Sequence, residues 1–315
     1  MPAVRARDSH QQPTPRVGGI AIVIAFVVVL IGFNFLAPSS LAFTGVTIAG
    51  FDKNLLGLLL AVLILAAVNI MDDYRHVSVW LRLTVEVVAA LLVVAFGIHI
   101  NLLSNPLGGQ ILLGSLDWLL VVIWLVGLSN VINWLDGING LAGGVAAIAL
   151  VIIFFLSISP DVHQTKNALL SMVALGAVVG FLPFNIVHAK AFLGDTGSVF
   201  LGFLIGVVAI ISGGKIATAF LVLAIPFLDA LIVFSSRLIH HQSPFLADRR
   251  HLHHRLLAVG LKPWQIVGIF YLVSLLFGLI ALNTQTIGKF QAALAALILM
   301  VILVLLYSYK GKTNE

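Results

Sequence analysis

The stretch "LLGLLLAVLILAAVNIMDDYRHVS" (55–78) runs through seventeen almost wholly apolar residues and then sets two carboxylates, Asp72 and Asp73, side by side. A run of that length is what a helix needs to cross a bilayer, about 20 residues at most. The chain around it reads the same way. Of 315 residues 61% are hydrophobic and only 9% charged, which no water-soluble domain could carry without a badly exposed apolar surface. The predicted fold is all-α, a polytopic membrane helix bundle forming one domain over 1–315, because helices in lipid pack as one bundle rather than around separate cores. There are no cysteines, which removes disulfides, thiolate metal sites and cysteine nucleophiles together.

Ten segments read as transmembrane helices: 17–37, 55–71, 80–98, 116–133, 140–158, 168–185, 198–212, 216–235, 264–283 and 289–308, the seventh being the shortest. Small-residue pairs at four-residue spacing, Gly176/Gly180 and Gly202/Gly206, are predicted to let helices approach closely. The first fifteen residues are polar and no cleavable signal peptide is expected. With ten crossings both termini share one side. Thirteen of the seventeen basic residues fall there and only Lys53, Lys166, Lys215 and Lys289 fall opposite, so the terminal side is predicted to be cytoplasmic.

The unusual polar clusters all lie on that same side. They are "NIMDDYRHV" (69–77), "SNVINWLDGINGLAGG" (129–144), "FNIVHAKAFLGDTGS" (184–198) and the large loop at 236–263. The other side offers scattered Asp52, Asp117 and Asp161. Carboxylates at an apolar boundary need water, a partner or a metal. Two in sequence also disfavour each other's ionisation unless a positive charge intervenes. Asp72 and Asp73, with Asp136 and Asp195 from other loops, therefore read as hard oxygen ligands suited to Mg²⁺, with Mn²⁺ as the alternative.

Blander explanations compete at each motif. "NVINWLDG" is also an Asn/Asp-rich turn, although Asn130 and Asn133 lie one helical turn apart and Asp136 continues their face if the helix persists. "GDTGS" is also a helix start with Asp195 or Thr196 as cap, at an N-terminus that favours phosphate. "DRRHLHHRL" (248–256) holds three arginines and three histidines and suits a polyanion. Zinc on His251, His253 and His254 and a basic patch for anionic lipids are the competing readings. Arg82 and Glu86, four apart, are expected to pair, and Asp229 is a functional candidate or a partner for Arg237.

Five motifs, "PTPRVGGIAI" (13–22), "NIMDDYRHVSVWLRL" (69–83), "NVINWLDGINGLAGG" (130–144), "FNIVHAKAFLGDTGSVFLG" (184–202) and "SPFLADRRHLHHRLLAVGL" (243–261), occur in an order that resembles the polyprenyl-phosphate N-acetylhexosamine-1-phosphate transferases, from about residue 10 to 262. The last motif looks more like the branch that starts O-antigen, common-antigen and teichoic acid synthesis (WecA/TagO-like) than like the MraY branch of peptidoglycan synthesis. The resemblance implies Mg²⁺-dependent transfer of a sugar 1-phosphate, most simply GlcNAc-1-phosphate, from a UDP-N-acetylhexosamine to undecaprenyl phosphate, with release of UMP. It implies a prokaryotic plasma membrane with the active site facing the cytoplasm. Asp195 then matches the metal ligand, with Asp72 a second, and Asp72 and Asp73 sit beside metal and diphosphate. Asn133 and Asp136 line the nucleotide-sugar cleft, Arg82 reaches phosphate, and His251, His253 and His254 serve the sugar and phosphate site. Catalytic roles are assigned on this basis to Asp72, Asp73, Asp136 and His254, and substrate contacts to Arg82, Asn130, Asn133, Asn185, Arg249, Arg250, His251 and His253. Relatives usually carry a further transmembrane helix before the segment matching "PTPRVGG", so this sequence is expected to begin about fifty residues late, through a misplaced start or a truncation. No nucleic-acid partner is expected, and the oligomeric state is left open, a homodimer being one option. The alternatives are a phospho-MurNAc-pentapeptide transferase, an ion-coupled transporter with polar groups at the midplane, and an inactive scaffold.

Overall fold

The computed structural model describes residues 14–100, 102–105, 108–160, 162–186, 189–211, 215–242 and 250–313, with side chains described through residue 302 except that of 104. Twelve helices run through these residues: α1 (Gly18–Leu36), α2 (Lys53–Tyr74), α3 (Val79–Ala95), α4 (Asp117–Leu135), α5 (Leu141–Ile158), α6 (Thr165–Asn185), α7 (Gly194–Ile211), α8 (Ile216–Val222), α9 (Ala224–Ile239), α10 (Leu252–Ala258), α11 (Pro263–Asn283) and α12 (Thr286–Thr313). Two small antiparallel hairpins, β1 (Thr47–Ile48) with β2 (Phe51–Asp52) and β3 (Leu102–Ser104) with β4 (Gln110–Leu112), cap connections at the end of the bundle away from Asp72.

Every predicted span is helical. Among the described residues seven helices are long and apolar enough to cross a membrane, or eight if α8 and α9 are one span. The predicted segment 216–235 is broken at Leu223, where α8 and α9 meet at 82°. Pro226 lies in the first turn of α9, where its missing N–H leaves no helical bond unmade. Helix α3 has 17 residues, at the lower limit for a crossing, and α12 runs from Thr286 to Thr313, its side chains described through Ile302.

Helix α7 is the axis of the molecule: 89% of its apolar window is buried, against 28% for α11. Around it the usual rule of soluble proteins is inverted. Large apolar side chains such as Ile24, Val28, Phe35, Leu63 and Ile298 face outward, while Asp72, Asp73, Glu86, Asn185 and His253 are buried. That is the arrangement expected where the outer solvent is lipid and buried polar groups must find partners inside. The expectation for Gly202 and Gly206 holds: a Cβ on Gly202 would lie 2.3 Å from the Leu128 carbonyl oxygen of α4, and the Trp124 indole N–H donates to the Gly206 carbonyl at 3.2 Å. For Gly176 and Gly180 it fails. Nothing lies within 4 Å of either, so that flat face of α6 points outward; the spacing makes a flat surface but does not say whether a helix covers it.

Candidate active site

The adjacent carboxylates at the end of α2 do not act as a pair. Successive residues on a helix point about 100° apart, and because α2 continues to Tyr74 the two side chains address different neighbours. Asp73 faces the start of α7. One oxygen accepts the Asp195 N–H (2.9 Å) and the other accepts the Thr196 N–H (3.1 Å) and hydroxyl (2.7 Å). The residue before α7 is Leu193, which has no side chain able to cap, so a carboxylate 122 residues away does that work. Gly194 makes the approach possible, since φ is +73° and a Cβ would sit 2.8 Å from Asp73 Oδ1.

Asp72 turns to α3 instead. Its Oδ2 is 2.7 Å from Nη1 of Arg82, and its Oδ1 accepts the Val77 N–H at 2.8 Å. The two carboxylates are thus each held by a separate positive partner, a guanidinium and a helix N-terminus. This replaces the expected Arg82–Glu86 pair. Glu86 is buried and accepts from the Asn130 amide, which also donates to the Val126 carbonyl.

Asn133 reaches the other way, donating to Asp195 Oδ1 (2.8 Å) and to the Ser198 hydroxyl (2.9 Å). Asn130 and Asn133 therefore fasten α4 to α3 and α7 respectively rather than sharing a cleft. Asp136 does not continue their face, because α4 ends at Leu135 and Asp136 is its non-helical C-cap. Neither Asp195 nor Thr196 is the cap of α7; both lie in its first turn, and the anion that its N-terminus was expected to attract is the carboxylate of Asp73. Asn185, 2% exposed, is a brace: it accepts the Gly140 N–H at 2.7 Å and donates to the Ala191 carbonyl at 3.0 Å.

The histidines come to the same end of the bundle on α10. His251 Nδ1 sits 2.9 Å from Asp229 Oδ2, while Asp229 Oδ1 accepts the Leu252 N–H, so one buried carboxylate on α9 fixes both the ring and the start of α10. Asp229, in the sequence a functional candidate or a partner for Arg237, is here the partner of His251. Its partner lies 22 residues away, and only its isolation in an apolar helix pointed to it. His251 stacks on Trp134, next to Asn133, and on His253 (centroids 5.8 and 6.0 Å); His254 tilts against His253 at 4.2 Å. His253 is 1% exposed and packs where a side chain on Gly137 would be, with no hydrogen-bond partner at either nitrogen. Burial, and then the neighbouring His254 and His251, push its pKa well below the ordinary value, so it is a neutral imidazole at pH 7. Arg250 donates to Gln242 Oε1 at 2.8 Å, and its carbonyl accepts from Arg255 Nε. Arg249 and His188 lie outside the described residues.

Among the described residues no three His, Asp or Glu side chains converge as a metal cage. The Asp195 carboxylate, oriented by the Asn133 amide at the start of α7, is nevertheless an oxygen donor of the kind that fits Mg²⁺, which takes one or two carboxylates and fills its remaining positions with water and substrate phosphate.

Comparison with known proteins agrees with this geometry. The model of "Glycosyl transferase family 4" matches residues 55–213, which spans α2 to α7 and so includes Asp72, Asp73, Asn133 and Asp195. A Bacillus subtilis protein named "Probable undecaprenyl-phosphate N-acetylglucosaminyl 1-phosphate transferase" is 28% identical over 98% of this chain and 84% of its own length. A decaprenyl-phosphate N-acetylglucosaminephosphotransferase of Mycobacterium tuberculosis is 31% identical over 85% of this chain and 71% of its own. A phospho-N-acetylmuramoyl-pentapeptide-transferase of Shouchella clausii is 33% identical over 86% and 84%. The chain is a multi-pass membrane transferase and belongs to glycosyl transferase family 4.

Proposed function

We propose that the protein transfers N-acetylglucosamine 1-phosphate from UDP-GlcNAc to undecaprenyl phosphate, at the cytoplasmic face of a prokaryotic plasma membrane, with Mg²⁺ bound at Asp195. The observation that carries the reading is the knot at the start of α7, where Asp73 accepts the Asp195 N–H and Asn133 donates to the Asp195 carboxylate, three residues from three separate motifs, beside the Asp72–Arg82 pair.

The reaction joins a lipid phosphate oxygen to the sugar-linked phosphorus and breaks the bond from that phosphorus to the oxygen that leaves with UMP. Two anions must meet, and Mg²⁺ on the diphosphate would reduce their repulsion and stabilise the leaving group. Asp73 holds the first turn of α7 in place, and Asn133 orients the Asp195 carboxylate, so the metal-facing group is fixed before substrate arrives. Arg82 is the pivot. An arriving phosphate competes with Asp72 for the guanidinium, and once Arg82 turns to phosphate the Asp72 carboxylate is released to take a residual proton from the nucleophile or to join the metal. With Nδ1 of His251 held by Asp229, Nε2 is the nitrogen left to meet sugar or phosphate. Asp136 caps the end of α4 next to Gly137, against which His253 packs, and His254 tilts against His253, so both stand near that contact.

Direct in-line attack is favoured over a phosphosugar intermediate on Asp73 because both of its oxygens already accept hydrogen bonds from the first turn of α7, and Asp72, once released, serves as the base. Labelled donor added without acceptor should leave no phosphosugar on the protein. The second reading, transfer of phospho-MurNAc-pentapeptide, rests on the 33% identity to the Shouchella clausii relative, which is no lower than the 31% to the N-acetylglucosamine enzyme. A panel of UDP-GlcNAc, UDP-GalNAc and UDP-MurNAc-pentapeptide with undecaprenyl phosphate and Mg²⁺, scored for UMP, separates them; release with UDP-GlcNAc alone is expected. No UMP from any donor, with solute movement in liposomes, would replace the transferase by a transporter.

A further inference from the structure

The turn between α4 and α5 carries Asp136 and Gly137, and it ends at Gly140, whose φ of +80° lies in the left-handed region that favours glycine. Side chains from two other helices hold both backbone groups of Gly140. Its N–H donates to Asn185 Oδ1 of α6 at 2.7 Å, and its carbonyl accepts the Tyr271 hydroxyl of α11 at 2.6 Å. Tyr271 lies outside all five sequence motifs and outside residues 55–213.

The approach of the ring is built into the sequence. A Cβ on Gly144 would sit 1.7 Å from the Tyr271 hydroxyl oxygen, so the glycines that close "GLAGG" (140–144) leave the space that the ring fills. Packing alone asks for less, because phenylalanine would fill that space and bring no hydroxyl to be satisfied. Nor does Gly140 need the hydroxyl to be satisfied. Its carbonyl already accepts the Gly144 N–H at 2.9 Å, the first helical bond of α5. What the second bond adds is direction: with both lone pairs of the carbonyl engaged and the N–H taken, the end of the turn is fixed from three sides. The fixing runs on through Asn185, whose amide donates to the Ala191 carbonyl at 3.0 Å in the segment that leads to Asp195. Hydrogen bonds thus join α11 to the α4–α5 turn and to the approach to α7.

We propose that Tyr271 is a positioning residue for the transferase: through Gly140 it sets the α4–α5 turn, and with it Asp136, against the start of α7, and so shapes the part of the cleft that takes the nucleotide sugar. This rests on the reading of the protein as a UDP-GlcNAc transferase in which Asp136 faces the donor. Asp72, the base for the lipid phosphate, is held by Arg82 and the Val77 N–H instead and does not depend on this turn.

Tyr271→Phe keeps the ring and removes the hydroxyl. In the full chain, with Mg²⁺ and with UDP-GlcNAc and undecaprenyl phosphate varied in turn, the KM for UDP-GlcNAc should rise about tenfold, while kcat and the KM for undecaprenyl phosphate stay within about twofold of the parent's. The unfolding temperature should stay close to the parent's, since Gly140 keeps its bond within α5. Amide hydrogen exchange over 136–144 needs no turnover, and it should be faster in the variant. An unchanged KM for UDP-GlcNAc, an equal rise in both KM values, a fall in unfolding temperature without a change in KM, or unchanged exchange over 136–144 would overturn the proposal. Absence of UMP from the parent with UDP-GlcNAc, together with faster exchange in the variant, would overturn the proposed donor and leave the placing of the turn by Tyr271 standing.

Discussion

The two ends of α7 hold the same kind of atom in opposite conditions. At its start, Asp73 accepts three hydrogen bonds from the first turn of the helix, and Asp195 is held by Asn133. Where its end meets α2 and α6, three amide oxygens accept none. Buried polar groups in a bundle surrounded by lipid have no water to fall back on. The Asp73 carboxylate has therefore met its partners within the chain and fixes the start of α7, whereas the amide oxygens at the other end, like the His253 nitrogens near the first, accept nothing from the described residues. Fixed geometry of that kind suits chemistry.

The largest effect that would break this contrast is at Asp195. Replacement by Asn keeps the shape and removes the charge, and UMP release should fall by about 10²–10³-fold. The unfolding temperature should stay close to the parent's, because the fixed geometry comes from Asp73. Parental activity in Asp195→Asn would show that the fixed start of α7 is only structural.

Asp73→Asn and Asp72→Asn separate neighbours that the sequence presents as a pair. An amide at 73 cannot accept from all three donors of α7, so about 1–3 kcal/mol of stability should be lost for the unsatisfied groups. Displacing Asp195 by about 1 Å should also cost up to about 10²-fold in rate. At Asp72 the rate should fall with less loss of stability, since its partner is a side chain and a loop N–H rather than a helix start. Equal stability losses in both variants would mean that the two carboxylates share one role after all.

His253 gives a smaller, pH-dependent effect. Its pKa in the folded protein is depressed by burial and by the facing His254 and His251, so the folded state holds it neutral. Stability from this group is complete above the unfolded value of about 6.5 and declines as pH falls below it, by at most about 1.4 kcal/mol per pH unit for one proton. Unfolding measured between pH 7 and 5 should show that slope, and His253→Leu should flatten it.

The bundle was legible because apolar length and basic asymmetry are local properties, and because lipid admits few other ways to satisfy a backbone. The grouping was legible too: Asp72, Asp73, Asn133, Asp195 and the histidines stand out against so apolar a chain, and they do come together at one end. What could not be read was who binds whom. Asp73 to α7, Asp72 to Arg82, Asn130 to Glu86 and His251 to Asp229 are settled by helix rotation and tertiary placement. Spacing within a helix offered Glu86 for Arg82, and packing overrode it. The break at Leu223 was hidden because hydropathy is continuous across it.

The smallest effect should also have the opposite sign. Asn54 Oδ1 is an acceptor that the chain has left unmet, so Asn54→Leu removes a desolvated oxygen without removing a bond. The variant should be more stable than the parent by about 1 kcal/mol, the lower end of what an unsatisfied buried polar atom costs. Asp73→Asn makes a nearly isosteric change at the other end and should destabilise. Measured side by side by thermal unfolding, opposite signs would support the contrast between a carboxylate whose bonds are met and an amide oxygen whose bonds are not. A loss of stability at Asn54 comparable to that at Asp73 would mean that its oxygen already has a partner, and the contrast between the two ends would disappear.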